Sequence, residues 1–233
     1  MTRVPPSRRD AFRALAALGL VACDTSKPHK GALGRMERVT ETLEGAMLSE
    51  RVPSRDLELT PMDAIPGYHV APEIPAVPDD WKLIVSGLVA TPLRLTLADL
   101  RALPQIGARI RHHCVEGWSA VADWSGVAIT EIAKLAGARP TAYVEFRSFD
   151  APSATARGYW SSWDRASALH PDTMVALAMN GAPLTPKHGA PCRLYGSVKL
   201  GYKMVKYLTE ISFLDRRTGG YWENQGYEWF AGV

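Results

Sequence analysis

Residues 111–119 read Arg-His-His-Cys-Val-Glu-Gly-Trp-Ser, the densest run of chemically reactive side chains in this sequence of 233 residues. The pattern of residues 106–115 predicts a strand, in which successive side chains point to opposite faces. His112 and Cys114 therefore share one face, and His113 lies on the other. Three interpretations are open. A metal could be bound by His112 and Cys114, with two further ligands from elsewhere. Cys114 could instead be a nucleophile with a histidine base, or simply a buried free cysteine. Spacing alone favours the third.

A second polar cluster lies downstream, in residues 188–193 and 199–206. It contains one Arg and three Lys around a Gly-Tyr turn, with His188 at its start. Ammonium groups and free backbone N–H groups at such a turn can bind a phosphate-like anion. A solvent-exposed basic hairpin is the alternative. The sequence has neither a Walker loop nor a dinucleotide-binding fingerprint.

Aromatic residues crowd the C-terminus, where the sequence has Tyr221, Trp222, Tyr227, Trp229 and Phe230. Burying an aromatic ring stabilises a fold by roughly 1.5–3 kcal/mol, so we expect this tail to pack on the domain. Lining a cleft is the functional interpretation of the same residues.

Composition and charge indicate a soluble globular chain with one large domain or two small ones. The sequence is 46% hydrophobic and 22% charged. Residues 1–22 hold four Arg and one Asp, and so account for the whole formal net charge of +3. No basic stripe is left for a nucleic acid. No apolar run reaches the roughly 18–20 residues of a transmembrane helix, and three cysteines cannot form a fully paired disulfide framework.

Residues 1–22 have the pattern of an export signal, with arginines ahead of and within an apolar stretch at 14–22. The Arg8-Arg9 pair followed by Phe12 resembles a twin-arginine signal, with the general secretory route as the alternative. Residues 20–23, Leu-Val-Ala-Cys, resemble a bacterial lipobox, and Asp24 after Cys23 favours retention at the inner membrane. We therefore expect a periplasmic protein anchored to the inner membrane through lipidated Cys23.

The remaining chain divides near residue 80. Residues 23–80 predict an extended, proline-rich arm with one amphipathic helix at 35–50, whose apolar positions are Met36, Val39, Leu43 and Met47. Residues 81–233 alternate strand signals with short helices at 96–103 and 130–136. Strands are predicted near 81–87, 106–115, 143–148, 174–179, 193–195 and 205–213. This pattern predicts an α+β, sheet-rich domain with mixed sheets and short helices.

Several motifs in this order resemble the molybdopterin-binding oxidoreductase family, which has the sulfite-oxidase fold. The similarity is greatest to its small exported bacterial members, among them the catalytic subunit of periplasmic methionine sulfoxide reductase. It covers about residue 80 to the C-terminus. The motifs that carry it are Arg111-x-x-Cys114-Val-Glu-Gly-Trp118-Ser119, Trp124-x-Gly126, Tyr143-Val-x-Phe146, His170-Pro171, His188-Gly-Ala-Pro-x-Arg193-Leu194 and Gly201-Tyr-Lys203-x-x-Lys206.

The resemblance implies a site for one mononuclear molybdenum, held by one molybdopterin and by the thiolate of Cys114, a soft ligand. Glu116 and Tyr227 are implied to lie near the metal as catalytic residues. His188 stands where the reductases commonly have Asn, and Ser148 where they have Thr. The residues implied to hold the pterin and its phosphate are Ser148, His188, Arg193, Lys203, Met204, Val205 and Lys206.

The implied activity is oxygen-atom transfer to or from a small neutral S- or N-oxide. Sulfite oxidases follow the metal-binding Cys with Ala-Gly-Asn-Arg-Arg, whereas this chain places the carboxylate of Glu116 there, which repels an anionic substrate. A sulfite-type oxidase and a non-catalytic periplasmic lipoprotein without the cofactor are the alternatives. The sequence has no Cys-x-x-Cys-His haem motif. The resemblance therefore implies a separate electron-transfer partner, a membrane haem protein or a cytochrome.

Overall fold

The computed structural model describes residue 28, residues 30–47 and residues 56–233. The predicted export signal and Cys23 lie outside the described residues. Within the described part of the chain, no helix combines the length and the hydropathy needed to cross a bilayer. The helices are α1 (Gly31–Met47), α2 (Leu97–Ala102), α3 (Ile129–Leu135) and α4 (Arg165–Ala168). The strands are β1 (Leu83–Gly87), β2 (Leu93–Leu95), β3 (Gln105–His113), β4 (Ser119–Ala128), β5 (Tyr143–Ser148), β6 (Trp160–Asp164), β7 (Met174–Met179), β8 (Ala182–Pro183), β9 (Arg193–Tyr195) and β10 (Leu208–Leu214).

The first sheet has the strand order β2-β1-β10-β5-β6. β1 pairs in parallel with β10, which joins the start of the domain to its end. Alternate residues of these strands are fully buried, among them Leu83 and Val85 on β1 and Ile211 and Phe213 on β10. The period-two pattern thus places an apolar face of this sheet in the core.

The second sheet has the order β3-β4-β7-β8, and β9 also pairs with β7. β3 and β4 form a long antiparallel hairpin. β4 crosses β7 so closely at Gly126 that a Cβ there would overlap the carbonyl oxygen of Val175. The predicted turn after β7 is confirmed, because Asn180 and Gly181 both have the positive φ that a tight hairpin turn needs. The α+β prediction is confirmed.

Local capping signals position two of the helices. The Thr96 hydroxyl accepts a hydrogen bond from the backbone N–H of Asp99 at 3.2 Å, and the Asp99 carboxylate accepts one from the N–H of Thr96 at 2.8 Å. This capping box starts α2 where it was predicted, and Pro104 follows its end. Gly137, just after α3, has a φ of +60°, as expected for a glycine that ends a helix.

Some predicted boundaries differ from the structure. α1 begins at Gly31 and ends at Met47, and its predicted apolar positions at Met36, Val39 and Leu43 are exposed. The strand predicted from residue 205 starts at Leu208, because Tyr207 has a φ of +53°, which a regular strand does not accommodate. β4, β6 and α4 were not predicted.

The C-terminal aromatic tail packs on the domain, as predicted. Trp229 and Phe230 are buried, and the indole N–H of Trp229 donates to the Ser162 hydroxyl at 2.9 Å. A fully buried ion pair between Lys203 and Glu223 joins the tail to the turn that precedes β10. These contacts hold the tail beside the cavity described next.

Candidate functional site

A cavity of about 380 Å³ opens beside β3, β4 and β9 of the second sheet. Its wall combines segments that are far apart in the sequence. They are residues 65–68 of the arm, the hairpin tip between β3 and β4, the region 188–206 and the C-terminal tail. The reactive run, the basic cluster and the aromatic tail, singled out separately in the sequence, therefore meet in one site.

Cys114 lies at the tip of the β3–β4 hairpin, at the wall of this cavity. Its N–H donates to the carbonyl of Trp118 and its own carbonyl accepts from the N–H of Gly117, both at 3.0 Å, so a tight turn presents the thiol. The Glu116 carboxylate accepts a hydrogen bond from the Trp118 indole N–H at 3.0 Å and lies 3.7 Å from the Cys114 sulfur. Burial raises the pKa of the Cys114 thiol; the backbone N–H of Glu116 acts against this rise, and the Glu116 carboxylate adds to it.

His112 lines the cavity beside Cys114, and His113 does not. The strand alternation predicted this arrangement. The His112 ring is bonded through Nδ1 to the Tyr195 hydroxyl at 2.8 Å and stacks on Trp118 with ring centroids 5.2 Å apart. Burial, reinforced by the positive charge of Arg193, lowers the pKa of His112 to about 3, so this ring is neutral.

The Cys–His pair of a hydrolase is not formed among the described residues. The thiol of Cys114 has its hydrogen bond with Glu116, His112 is bonded to Tyr195, and His113 is bonded to Ser119 at 3.2 Å. The described residues also contain no cluster of three or more His, Cys, Asp or Glu side chains that could hold a metal ion by themselves. A soft metal held by Cys114 would need the rest of its ligands from a cofactor.

Another part of the wall is cationic. Arg193 is buried, donates through one terminal nitrogen to the His188 carbonyl at 3.1 Å, and has no hydrogen-bond partner for its buried Nε among the described residues. Burial lowers the pKa of Lys206 to about 7, and repulsion from Arg193 contributes. Burial also lowers the pKa of His188, whose Nε2 lies 3.1 Å from the carbonyl oxygen of Met62. An anion bound here would satisfy the free donor and relieve the repulsion.

The other residues predicted to hold a cofactor occupy different places. Met204 lies on the cavity wall. Ser148 and Val205 are buried outside it, and the Ser148 hydroxyl accepts a hydrogen bond from the N–H of Asp150 at 2.9 Å. The side chain of Lys203 is also outside the wall, because its ammonium is paired with Glu223 and donates to the Ser162 carbonyl at 3.0 Å. The structure thus does not bring Ser148, Lys203 and Val205 to the cavity surface.

The mouth of the cavity is aromatic. Tyr227, predicted as a catalytic residue, lies on the wall with its ring centroid 5.1 Å from Trp222 and 5.2 Å from Tyr202. Tyr68 of the arm faces Trp222 at 6.1 Å and is 57% exposed. These four rings, with Glu116 nearby, form the entrance through which a substrate would reach Cys114.

Asp150 was not singled out in the sequence, and it fixes the arm at the cavity. Its buried carboxylate accepts hydrogen bonds from the backbone N–H groups of Val70 at 2.9 Å and Ala71 at 2.8 Å. Trp124 and Tyr195 were also missed as wall residues; their rings stack at 3.7 Å between centroids. Trp124 shares one face of β4 with Ala120 and Ala122, which also line the cavity, but the weak alternation of this buried strand hides that face in the sequence.

The fold and the site define a class of protein: an α+β domain whose pocket presents a cysteine thiol beside a buried cationic wall. That combination suits a soft metal carried by an anionic cofactor. The family model described as the oxidoreductase molybdopterin binding domain matches residues 69–222. The match begins twelve residues before Trp81, so it includes the end of the arm, where the N–H groups of Val70 and Ala71 donate to Asp150, and it starts directly after the arm residues 65–68 of the pocket wall.

Individual proteins are similar to this chain over much of its length. A putative protein-methionine-sulfoxide reductase subunit, YedZ1, of Azospira oryzae is 42% identical over 173 residues, which cover 74% of this chain and 63% of the relative. The protein-methionine-sulfoxide reductase catalytic subunit MsrP of Campylobacter jejuni is 30% identical over 170 residues, covering 66% and 57%. The crystal structure of the sulfane dehydrogenase SoxCD from Paracoccus pantotrophus matches with a TM-score of 0.53 at 23% identity, covering 59% of this chain and 39% of that one. The chain thus spans little more than half of the length of these two sequence relatives.

This chain belongs to the family of oxidoreductases with a molybdopterin-binding domain. The pocket fits the family's molybdenum–molybdopterin cofactor on its own features. The orphaned Nε of Arg193, the depressed pKa of Lys206 and the partly buried thiol of Cys114 are the groups that an anionic pterin and a soft metal would satisfy. Arg193, Lys206 and His188 would hold the cofactor, and Cys114 would bind the metal.

Proposed function

We propose that this chain reduces a small neutral sulfoxide or N-oxide, with methionine sulfoxide as the first candidate substrate. The observation that carries the proposal is the Glu116 carboxylate, which lies 3.7 Å from the Cys114 sulfur. Arg193 and Lys206 are left to hold the anionic cofactor, and the aromatic rings of the entrance line the rest of the substrate space. A carboxylate beside the reacting centre disfavours an anion such as sulfite, and aromatic rings favour a polarisable sulfur group. The names of the two sequence relatives support the same substrate class.

The bound cofactor supplies two-electron oxygen-atom transfer, and the chain supplies the surroundings. Cys114 provides the thiolate ligand, and the neutral His112 beside it adds no charge. Trp118, held by Glu116 on one side and by the His112 ring on the other, forms one wall of the substrate space. Tyr227 lies on the cavity wall, and we assign to its phenol the role of hydrogen-bond donor to the oxide oxygen.

The overall reaction needs electrons from outside the chain. Two electrons and two protons convert the sulfoxide to a thioether and its oxygen to water. The sequence has no haem-attachment motif. We therefore assign electron supply to a separate carrier, a membrane haem protein or a cytochrome.

The activity is tested with protein loaded in a molybdenum-cofactor-competent host. Reduced viologen oxidation is measured with methionine sulfoxide, dimethyl sulfoxide and trimethylamine N-oxide, and cytochrome reduction is measured with sulfite. We expect one molybdenum per chain and turnover of the oxides. Sulfite turnover without oxide reduction would establish the sulfite-type alternative. Protein that contains no molybdenum after production in this host would establish the non-catalytic alternative.

Two cysteine variants provide the matched test of the ligand. Cys114→Ser should abolish turnover while the circular dichroism spectrum stays unchanged. Cys192→Ser removes the other described thiol, which is fully buried away from the pocket, and should keep the activity. Full activity of Cys114→Ser would refute the role of this thiolate.

The location of the enzyme is part of the proposal. The basic, apolar and lipobox-like pattern of residues 1–23 supports export to the periplasm, on a twin-arginine route, with Cys23 lipidated and held at the inner membrane. Fractionation of cells producing the full chain tests this location. We expect the protein to stay in the membrane fraction through a high-salt or carbonate wash and its Cys23→Ala variant to be released by that wash; recovery of both from the cytoplasm would overturn it.

A further inference from the structure

Helix α1 contacts the domain through its acidic side. Arg217, which is buried, donates to the Glu37 carboxylate at 2.6 Å and to the Glu41 carboxylate at 3.2 Å. Its guanidinium lies 4.4 Å from the centroid of the Trp229 ring, so the helix is linked to the C-terminal tail. The small residue Gly34 is buried on the same side of the helix.

The apolar side of α1 points away from the domain. Leu33 is 48% exposed, Met36 67%, Val39 58% and Leu43 58%. Their spacing of three and four residues places them in one stripe along the helix. We call these four residues the outer stripe. A helix that packed on its own domain in the usual way would bury such a stripe, so its orientation calls for another partner.

The charges around the outer stripe indicate what that partner is. Glu37 and Glu41 are neutralised by Arg217 on the inner side. Lys30, Arg35 and Arg38 are exposed, and Glu44 is the one further acidic residue of α1, so the helix together with Lys30 and Arg217 keeps a net positive charge. Arg35 flanks the outer stripe, Lys30 precedes the helix, and Arg38 lies nearer to Glu41. An apolar stripe with exposed cations is the pattern of a helix that lies in the surface of an anionic bilayer.

The position of α1 in the chain brings it close to such a surface. Cys23, the residue with the lipobox pattern, precedes Gly31 by eight residues. Even a fully extended chain of that length reaches at most about 28 Å. A lipid on Cys23 would therefore hold α1 within one bilayer thickness of the headgroups.

We propose that the outer stripe of α1 docks on an anionic lipid surface and thereby orients the domain on the membrane. The apolar side chains enter the boundary between headgroups and acyl chains, Arg35 contacts anionic headgroups beside them, and the net positive charge of the helix with Lys30 and Arg217 favours an anionic surface. The contacts with Arg217 are on the opposite side of the helix, so the helix stays docked on the domain while its outer side is occupied. The proposal concerns the surface of α1 and does not depend on the reaction in the pocket.

Flotation on vesicles tests this docking without the lipid anchor. The protein is the full chain with Cys23→Ala, and the vesicles are phosphatidylcholine with or without one quarter phosphatidylglycerol. We expect binding to the anionic vesicles and much less to the neutral ones. Replacing Met36, Val39 and Leu43 together by Gln should lower the partition coefficient at least about tenfold, because apolar burial drives the insertion.

A matched variant controls for the general loss of apolar surface. Ile74, Val77 and Leu135 are exposed to a similar degree away from α1, at 47%, 41% and 48%, and their replacement by Gln should leave flotation unchanged. Absence of flotation for the Cys23→Ala chain would overturn the proposal, as would equal losses in both triple variants. A concentration-dependent dimer by light scattering that disappears only in the α1 variant, without flotation, would assign the stripe to a second copy of the chain instead. Activity of each variant in the soluble assay reports that the pocket is intact.

Discussion

The buried ion pair between Lys203 and Glu223 makes a quantitative prediction about both stability and the cofactor. Both side chains are 0% exposed, and the Ser161 hydroxyl donates to the same Glu223 oxygen at 2.7 Å. Glu223→Gln keeps the shape of the side chain and removes its charge, which leaves the Lys203 ammonium buried without a counter-charge. Breaking a buried pair in this way costs roughly 3–5 kcal/mol of unfolding free energy. At about 2–4 °C per kcal/mol for a domain of this size, we expect Tm to fall by roughly 6–20 °C.

A second variant separates the charge effect from simple loss of a side chain. Lys203→Met combined with Glu223→Gln removes both charges and keeps apolar volume along the lysine stem. We expect the double variant to recover more than half of the lost stability, because no unpaired charge remains. Urea unfolding followed by circular dichroism measures both variants.

The molybdenum content of the same proteins tests the sequence-based assignment of Lys203 to the cofactor. Because the ammonium of Lys203 is held by Glu223 and the Ser162 carbonyl, we expect the double variant to retain one molybdenum per chain. The structural reasoning is refuted if Glu223→Gln costs less than about 1 kcal/mol or if the double variant is no more stable than the single one. Loss of molybdenum from a stable double variant would instead show that Lys203 binds the cofactor.

Three further predictions concern the pocket. The pKa of Lys206 is about 7 in the folded chain, below its value in the unfolded chain, so above pH 7 the folded chain binds fewer protons than the unfolded one. The Tm of the cofactor-free protein should therefore rise from pH 7 to 8.5. In Lys206→Met the rise should be smaller. A Cβ at Gly201 would overlap the His112 ring on the cavity wall, so Gly201→Ala should disturb the site and reduce the molybdenum content at least severalfold. Gly107→Ala is the control, because a Cβ there meets only an ordinary van der Waals contact, and it should leave the molybdenum content unchanged. Asp150→Asn weakens two charge-assisted hydrogen bonds to the arm, each worth roughly 1.5–3 kcal/mol. The hydrogen-exchange rates of the Val70 and Ala71 amides should therefore rise at least about tenfold. Unchanged protection of these amides would contradict the role of Asp150.

The elements that were predicted correctly carry their signals locally. The capping box at Thr96 and Asp99, the turn at Asn180 and Gly181, and the glycine after α3 each depend on neighbouring residues alone. β4 was missed because it is buried along most of its length, so the alternation that marks a half-exposed strand is weak. Which strands become neighbours, such as the parallel pairing of β1 with β10, depends on packing between distant segments.

Residues of the candidate site could be predicted from the sequence only where a single side chain in a recognised motif has a chemical role of its own. Cys114 and Arg193 stand in motifs that the resemblance recognises, and the structure places both on the pocket wall. Lys203 stands in the same kind of motif, yet its side chain turns into the core, because Glu223 arrives there from the C-terminal tail. Asp150 was not predicted as a site residue, because its role depends on two backbone N–H groups of the arm that lie about 80 positions earlier in the sequence.

The cationic wall also connects the cofactor to the stability of the fold. Arg193, Lys206 and His188 lie close enough that the positive charge of Arg193 contributes to lowering the pKa of the other two. Without an anion, the folded chain bears this repulsion and the desolvated Nε of Arg193. An anionic cofactor binds the folded chain and has no such site in the unfolded one, so it stabilises the fold by mass action. The groups that would hold the cofactor would therefore favour folding around it, as the proposed twin-arginine route requires, since that route carries proteins already folded.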